Sequence, residues 1–384
     1  MNQKNLTLFE ASSIIAGLGV GGGIMAVPYL ASKNGSLTSL LIIVFAYLVS
    51  LLLHFMVAEL VMREGGHHQL VELMKKYVFK GKIGVVMTWL FFFLLASGII
   101  FLLAGYITGC ATIILELVNM PMIAAEILVY LLAAGVVFFG LKVIGIIEKY
   151  AIAGIAILIL IMSIGSFGHL QNSVAAFSGD VNEALALFGM VMFSFGCWFS
   201  IPQAVEGLSD RPQLVPWSIV FGIGINLIFV VVITFMAIWA SDKVSVIAIT
   251  SWGEAVGNWA FILGSVSVLL AMLTSYWAFS YALAVIIKER LEYGFRLSWL
   301  LATFPTLLLA TSGLTGFLGF LRITGGLTAV LITILVVPAL RGVRSSTGND
   351  SDTFSIGAWG GPVFQAIVVL AYLGMAIGSM IPVE

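Results

Sequence analysis

Charge is what this chain has least of. Only 9% of its 384 residues are Asp, Glu, Lys or Arg, against about 25% in a soluble domain, and the mean hydropathy is +1.15. Those values exclude an ordinary water-soluble domain. Cysteine is almost missing as well. Cys110 and Cys197 both fall inside apolar segments, which excludes a disulfide framework and reads as two free thiols. The short polar–apolar alternation of a membrane barrel is also lacking. There is no His/Cys spacing of a metal centre, no nucleotide-binding loop and no nucleophile with a companion base. An enzyme is not expected, nor a cofactor, and nothing points to a nucleic-acid partner or names a protein partner.

What the chain does have is long apolar runs. Spans are predicted at about 8–30, 37–62, 83–116, 122–140, 144–166, 184–206, 214–240, 258–287, 297–312, 317–340 and 362–382. This is an all-α polytopic protein with eleven transmembrane helices, its main partner the lipid bilayer. The first run continues as a full span, so it is not read as a cleaved signal. If the N-terminus is cytoplasmic, 14 Lys and Arg fall on the inner side, from Lys4 through Arg63, Lys142, Arg211 and Arg290 to Arg344. Only Lys33 and Lys243 fall outside, and Arg322 lies within the tenth span. This split orients the chain in a plasma (inner) membrane with Glu384 outside.

The first span carries Ala16-Gly17-Leu18-Gly19-Val20-Gly21-Gly22-Gly23. Glycine costs a helix roughly 1 kcal/mol per residue relative to Ala. In hydrocarbon, freed backbone groups persist only inside protein or beside a watery cavity. A broken helix whose bare N–H and C=O groups hold something is one reading; a close helix–helix contact through small residues is the other. The sixth span offers a counterpart, Phe193-Ser194-Phe195-Gly196-Cys197, with Pro202 following as Pro28 follows Gly23. The two spans lie five apart and cross in opposite senses. Interrupted spans at corresponding places in two halves point to a transporter built from inverted repeats. Residues 1–166 form the first repeat, with an amphipathic interfacial helix at about 67–80. Residues 167–340 form the second, with an outer loop helix at about 244–257. Residues 341–384 form a cytoplasmic link and the last span. A third element is Thr274-Ser275 in the eighth span, adjacent hydroxyls suited to a hard cation or to helix packing.

These motifs, in this order, together with Arg322-Ile323-Thr324-Gly325-Gly326 through Pro338, resemble the amino acid/auxin permease family. It belongs to the amino acid–polyamine–organocation superfamily, and the Thr-Ser pair is similar to that of the bacterial tyrosine and tryptophan permeases. The resemblance implies a leucine-transporter-type fold, five helices plus five inverted with helices 1 and 6 broken. It implies a sodium site at Ala16, Gly19, Ala271, Thr274 and Ser275, a substrate carboxylate near Gly21 and Gly22, and an amino group near Ala16, Gly17 and the Phe193–Gly196 bend. Gly23 stands where sodium-dependent leucine transporters carry an Asn, which puts a second sodium site in doubt. No lysine lies midway along span five; Lys149 is at its edge.

Other polar groups carry two readings each. Glu59 is a proton carrier or, with Arg63, a brace for the inner gate. Arg322 is an outer-gate partner or a snorkelling residue. His54 is a packing histidine or a proton relay. Tyr106 closes over a substrate or simply packs, and Phe193, Phe195 and Trp198 line a side-chain pocket, with lipid as the alternative for Trp198. The expected function is import of a neutral amino acid, apolar or aromatic, by symport with Na⁺ or H⁺. Na⁺ is preferred because the hydroxyl pair offers an oxygen cage and no buried carboxylate matches a proton site as well. The alternatives are a transporter-like sensor without flux, an uncoupled exchanger, and a channel, whose charged or carbonyl rings are not visible.

Overall fold

The computed structural model describes residues 5–66, 68–170, 175–314, 317–347 and 354–381, without the side chains at 317–319, 321–323, 327–330 and 334. Among these residues there are only helices and connections. In order they are α1 (Leu8–Val20), α2 (Gly22–Asn34), α3 (Ser36–Arg63), α4 (Leu70–Tyr77), α5 (Gly81–Leu117), α6 (Met122–Phe138), α7 (Leu141–Gly165) and α8 (Val181–Ser194). They continue as α9 (Ile201–Gly207), α10 (Val215–Ala240), α11 (Ala248–Val256), α12 (Asn258–Leu291), α13 (Phe295–Thr311), α14 (Phe317–Thr347) and α15 (Pro362–Met380). Eight helices or helix runs are long and apolar enough to cross a membrane, and α1 with α2, bent by 50°, forms a further broken span. The shorter apolar α6 and α13 coincide with the two remaining predicted spans.

Both broken spans start alike. Thr7 and Glu10 form a reciprocal capping box, Glu10 Oε2 accepting from the Thr7 N–H at 2.7 Å. Asp180 and Glu183 do the same, Asp180 Oδ1 accepting from the Glu183 N–H at 2.9 Å. Each box satisfies orphan donors at a helix start. Each leads into a half-helix, of 13 residues in α1 and 14 in α8, that ends at mid-span. The two are the same device in two halves of the chain.

α1 packs against α7, α10 and α12, while α8 packs against α2, α3 and α15. The α1 half-helix is therefore enclosed on all sides, with every residue from Glu10 to Val20 buried. The predicted interfacial helix is α4, which buries Leu70, Val71, Leu73 and Met74 and leaves Lys75 and Lys76 exposed; His67 lies outside the described residues. The predicted outer loop helix is α11, anchored by Trp252, whose Nε1 donates to Ser166 Oγ at 2.7 Å.

Candidate functional site

The first break is narrower than the glycine run that encodes it. α1 stays helical through Ala16, Gly17, Leu18, Gly19 and Val20, and only Gly21 leaves the helix, at ψ −151°. α2 restarts at Gly22 and Gly23, so their N–H groups belong to a helix start and lack intrahelical acceptors. Elsewhere in the run the glycines serve close approach. A Cβ on Gly19 would meet the Asn226 amide and stand 2.7 Å from both Cys197 Sγ and the Ser194 carbonyl oxygen. On Gly21 it would meet Ser275 Oγ and stand 2.9 Å from the Tyr106 hydroxyl; on Gly23 it would stand 2.7 Å from Ser194 Oγ.

The second break spans Phe195, Gly196 and Cys197, before a single 3₁₀ turn, Trp198–Ser200, that passes into α9. Tight local bonds hold it. The Gly196 N–H donates to Phe193 O at 2.9 Å and the Cys197 N–H donates to Phe195 O at 2.8 Å. Asn226 of α10 reaches in from the side, its Nδ2 donating to Cys197 Sγ at 3.3 Å while its Oδ1 has no partner among the described residues. The two breaks thus face each other across Gly19, Cys197 and Asn226.

The hydroxyl pair completes the cluster. Ser275 Oγ donates to Gly17 O at 2.7 Å and lies 3.1 Å from Leu18 O; Thr274 Oγ1 lies 2.8 Å from Ala271 O and 3.3 Å from Gly17 O. Oxygen atoms of α1 and α12 are therefore gathered where the resemblance locates a cation, with Gly17 and Leu18 rather than Ala16 and Gly19 in contact with the hydroxyls.

Beside the second break lies a small cavity lined by Gly98, Phe193, Gly196, Phe279, Thr324 and Gly325 among others. Its free volume of about 20 Å³ is room for about one water. Phe193 fills the rest: a Cβ on Gly325 would stand 2.8 Å from its ring. Phe195 and Trp198 are buried away from lipid, Phe195 6.0 Å from Tyr47 and Trp198 5.5 Å from Tyr372 between ring centres. His54 packs beside Trp198 at 6.3 Å, its Nδ1 2.6 Å from Ser50 O.

Glu59 lies apart from this centre, near the end of α3. Arg63 Nε donates to it at 2.9 Å, Arg344 Nε and Nη2 at 2.8 and 2.6 Å, and the Ile356 N–H at 3.1 Å. These bonds tie α3 to α14 and to the segment before α15. The Arg322 side chain lies outside the described residues.

Two residues of this region are absent from the sequence reading. One is Asn226. The other is Glu148 of α7, fully buried, with neither carboxyl oxygen bonded to anything among the described residues. Its Cδ is 2.7 Å from where a Cβ on Gly17 would stand. The signal was available: Glu148 shares the buried stripe Leu141, Ile144, Gly145, Ala151, Ile152 and Ile155. Lys149, one residue on, turns away to the Tyr150 ring at 4.6 Å.

Comparison with known proteins gives this geometry a setting. No curated protein sequence matches the chain. Among solved structures it is similar to a nucleobase-cation-symport-1 family transporter in a closed conformation with bromovinylhydantoin bound. The TM-score is 0.68 at 13% identity, over 98% of this chain and 91% of that one. It is similar also to an Eremococcus coleocola manganese transporter mutant, with TM-score 0.69 at 14% identity over 96% and 85%. At such identities these likenesses show the fold, which is the leucine-transporter type that the family resemblance implies. The model of the tryptophan/tyrosine permease family matches residues 4–379. The chain belongs to the tryptophan/tyrosine permease family and is a multi-pass membrane permease, not an enzyme.

Proposed function

We propose that this protein imports an aromatic amino acid by symport with a monovalent cation, through alternating access around the two broken helices. The observation that carries the reading is the convergence of two interrupted half-helices on one buried spot, in a chain of this family. The α2 start at Gly22 and Gly23 presents N–H groups and a positive dipole end, which suits a substrate carboxylate. The carbonyls about Ala16, Gly17 and the Phe193–Gly196 bend suit an α-ammonium. Tyr106, near Gly21, covers the substrate from α5. The side chain takes the space among Gly98, Gly196, Phe279 and Gly325. An aromatic ring enters there only when Phe193 rotates, since the cavity now holds about one water.

The oxygen cluster of Gly17, Leu18, Ala271, Thr274 and Ser275, with Ala16 and Gly19 on the same turns, is the proposed neighbourhood of the coupling cation, Na⁺ or H⁺. Glu59, bonded to Arg63 and Arg344, braces the inner gate rather than carrying protons. Orientation follows from the charges: the N-terminus is cytoplasmic, and the ion pairs Glu10–Lys142, Glu59–Arg344, Glu64–Lys76 and Glu72–Arg290 belong to the inner rim.

The test is uptake into proteoliposomes of labelled tryptophan, tyrosine and a panel of other amino acids, with Na⁺ and pH gradients imposed separately. Saturable concentrative uptake of aromatic substrates under one gradient is expected. Uptake indifferent to both gradients would sink the coupling, and binding without flux would make the protein a sensor.

A further inference from the structure

We propose that Glu148 binds the coupling cation, resting on the reading of this protein as a cation-driven permease. The ligand is a monovalent cation that neutralises a carboxylate, either a proton or Na⁺.

The geometry carries the assignment. Glu148 has no exposed surface, yet no donor among the described residues reaches either of its oxygens. An ionised carboxylate in such a place is costly unless something neutralises it. The charged and titratable groups on the elements packed around α7 do not supply that something. On α1, Glu10 is held by Lys142 at 2.6 Å, toward the helix ends. On α12, Tyr276 lies 3.1 Å from Thr306, Tyr281 sits beside Phe295, and Lys288, Glu289 and Arg290 belong to the far end. α10 carries no charged residue, and Glu206 of α9 has a partner of its own. α6 offers the acid Glu126 and Tyr130, the latter 3.5 Å from Thr303. On α7 itself Lys149 covers the Tyr150 ring. The Thr274 and Ser275 hydroxyls, which bond to Gly17, direct their protons at backbone carbonyls.

Position explains why a cation at this carboxylate would drive transport. Glu148 is seven residues into α7, about 10 Å from the helix start along the axis. Its carboxyl lies against Gly17, whose carbonyl is the acceptor shared by Thr274 and Ser275. Four residues past Gly17 comes the break at Gly21. A negative charge on Glu148 draws water between α7 and α1 and favours their separation at the inner end. With the charge neutralised, α1 packs as seen here and holds the break in its closed geometry. Cation binding and the closed arrangement therefore favour each other, and a substrate bound at the break shares that preference. Gly17 is what allows the approach, because any side chain there would occupy the carboxyl's space.

The experiment compares wild type, Glu148→Gln and Lys149→Gln in proteoliposomes, with labelled tryptophan or tyrosine as substrate. Under an imposed gradient of about tenfold, wild type and Lys149→Gln are expected to accumulate substrate several-fold. Glu148→Gln, a permanently neutral mimic, is expected to equilibrate at a ratio of about one, with exchange that no longer responds to pH or Na⁺. A pH gradient driving wild type identifies the proton as the cation; a Na⁺ gradient identifies the sodium ion. Concentrative uptake by Glu148→Gln equal to wild type would overturn the assignment and leave the permease reading intact. Failure of wild type to move aromatic substrates would overturn both. A second measurement does not depend on transport: the thermal stability of purified protein against pH and Na⁺. Wild type should lose stability as pH rises, with Na⁺ restoring it only if Na⁺ is the ligand, and that response should vanish in Glu148→Gln. An identical response in the variant would overturn the proposal.

Discussion

Glu59 and Glu148 are the same side chain in two settings, both with no exposed surface. Glu59 sits in a nest of donors: two arginines and a backbone N–H reach its oxygens, from α3, α14 and the segment leading to α15. Glu148 is fully buried with no donor to its oxygens among the described residues. A carboxylate so fully bonded is a fixed charge, and its work is to join helices. One with no protein partner is free to exchange what neutralises it. The Glu59 cluster is thus built to hold one arrangement, while the centre is where a ligand is proposed to act.

The comparison breaks most sharply on stability. Glu59→Ala strands Arg63 and Arg344 without a counter-charge, and is expected to cost about 3–5 kcal/mol, read as a large fall in thermal stability. Glu148→Gln replaces one unpartnered polar group by another and should change stability near neutral pH by about 1 kcal/mol or less. If Glu148→Gln were the more damaging of the two, Glu148 would be a structural bond rather than a binding group.

Gly17→Ala comes next. Its Cβ collides with the Glu148 carboxyl, and overpacking of this kind costs about 1–3 kcal/mol, although alanine is favoured over glycine in a helix by about 1 kcal/mol. Thermal melts of Gly17→Ala, Glu148→Ala and the double variant should be non-additive, the double being less damaged than the sum. Additivity would mean that the two residues do not meet.

The hydroxyl pair is a smaller lever. Thr274→Ala and Ser275→Ala should each cost about 0.5–1.5 kcal/mol for a lost buried hydrogen bond. Together they should alter the cation dependence of uptake, because they bond the carbonyl of Gly17, the residue against which the Glu148 carboxyl packs. An unchanged dependence would remove the pair from the cation site.

The smallest expected effect is at the rim. Burial alone would raise the Glu64 carboxyl, but hydrogen bonds from Lys76 and Tyr77 outweigh it and hold Glu64 below its ordinary range. A depressed acid stabilises the fold at neutral pH, and that contribution fades as pH falls through its lowered value. Hydrogen-exchange protection in α4, taken relative to the intrinsic rate at each pH, should therefore be constant near neutrality and fall only in acid.

Much of the fold was legible because it rests on strong local signals. Apolar run length marked most of the helices to within a few residues, although α14 runs on to Thr347 past the expected end at 340. Glycine and proline marked both breaks, although Gly21 alone takes the distortion in the first, because packing against Asn226 and Glu148 keeps the preceding glycines helical. The ring of contacts was not legible. Arg344 lies 285 residues from Glu59, so Arg63, one turn away, was the only partner in view. Asn226 is one amide in an apolar helix, with nothing nearby to mark it. Glu148 belongs to no motif, and the residue that the family resemblance brings to that span is a lysine. Its place on the buried stripe, opposite to that of Lys149, was the decisive information.

The central claim is that a cation at Glu148 couples the gradient to substrate movement across the broken helices. Flux reversal tests it most directly: the substrate ratio at which net movement stops, measured as the cation gradient is varied. The account predicts a ratio that tracks the gradient in wild type and stays at about one in Glu148→Gln at every gradient imposed. A ratio that still tracks the gradient in Glu148→Gln would contradict it.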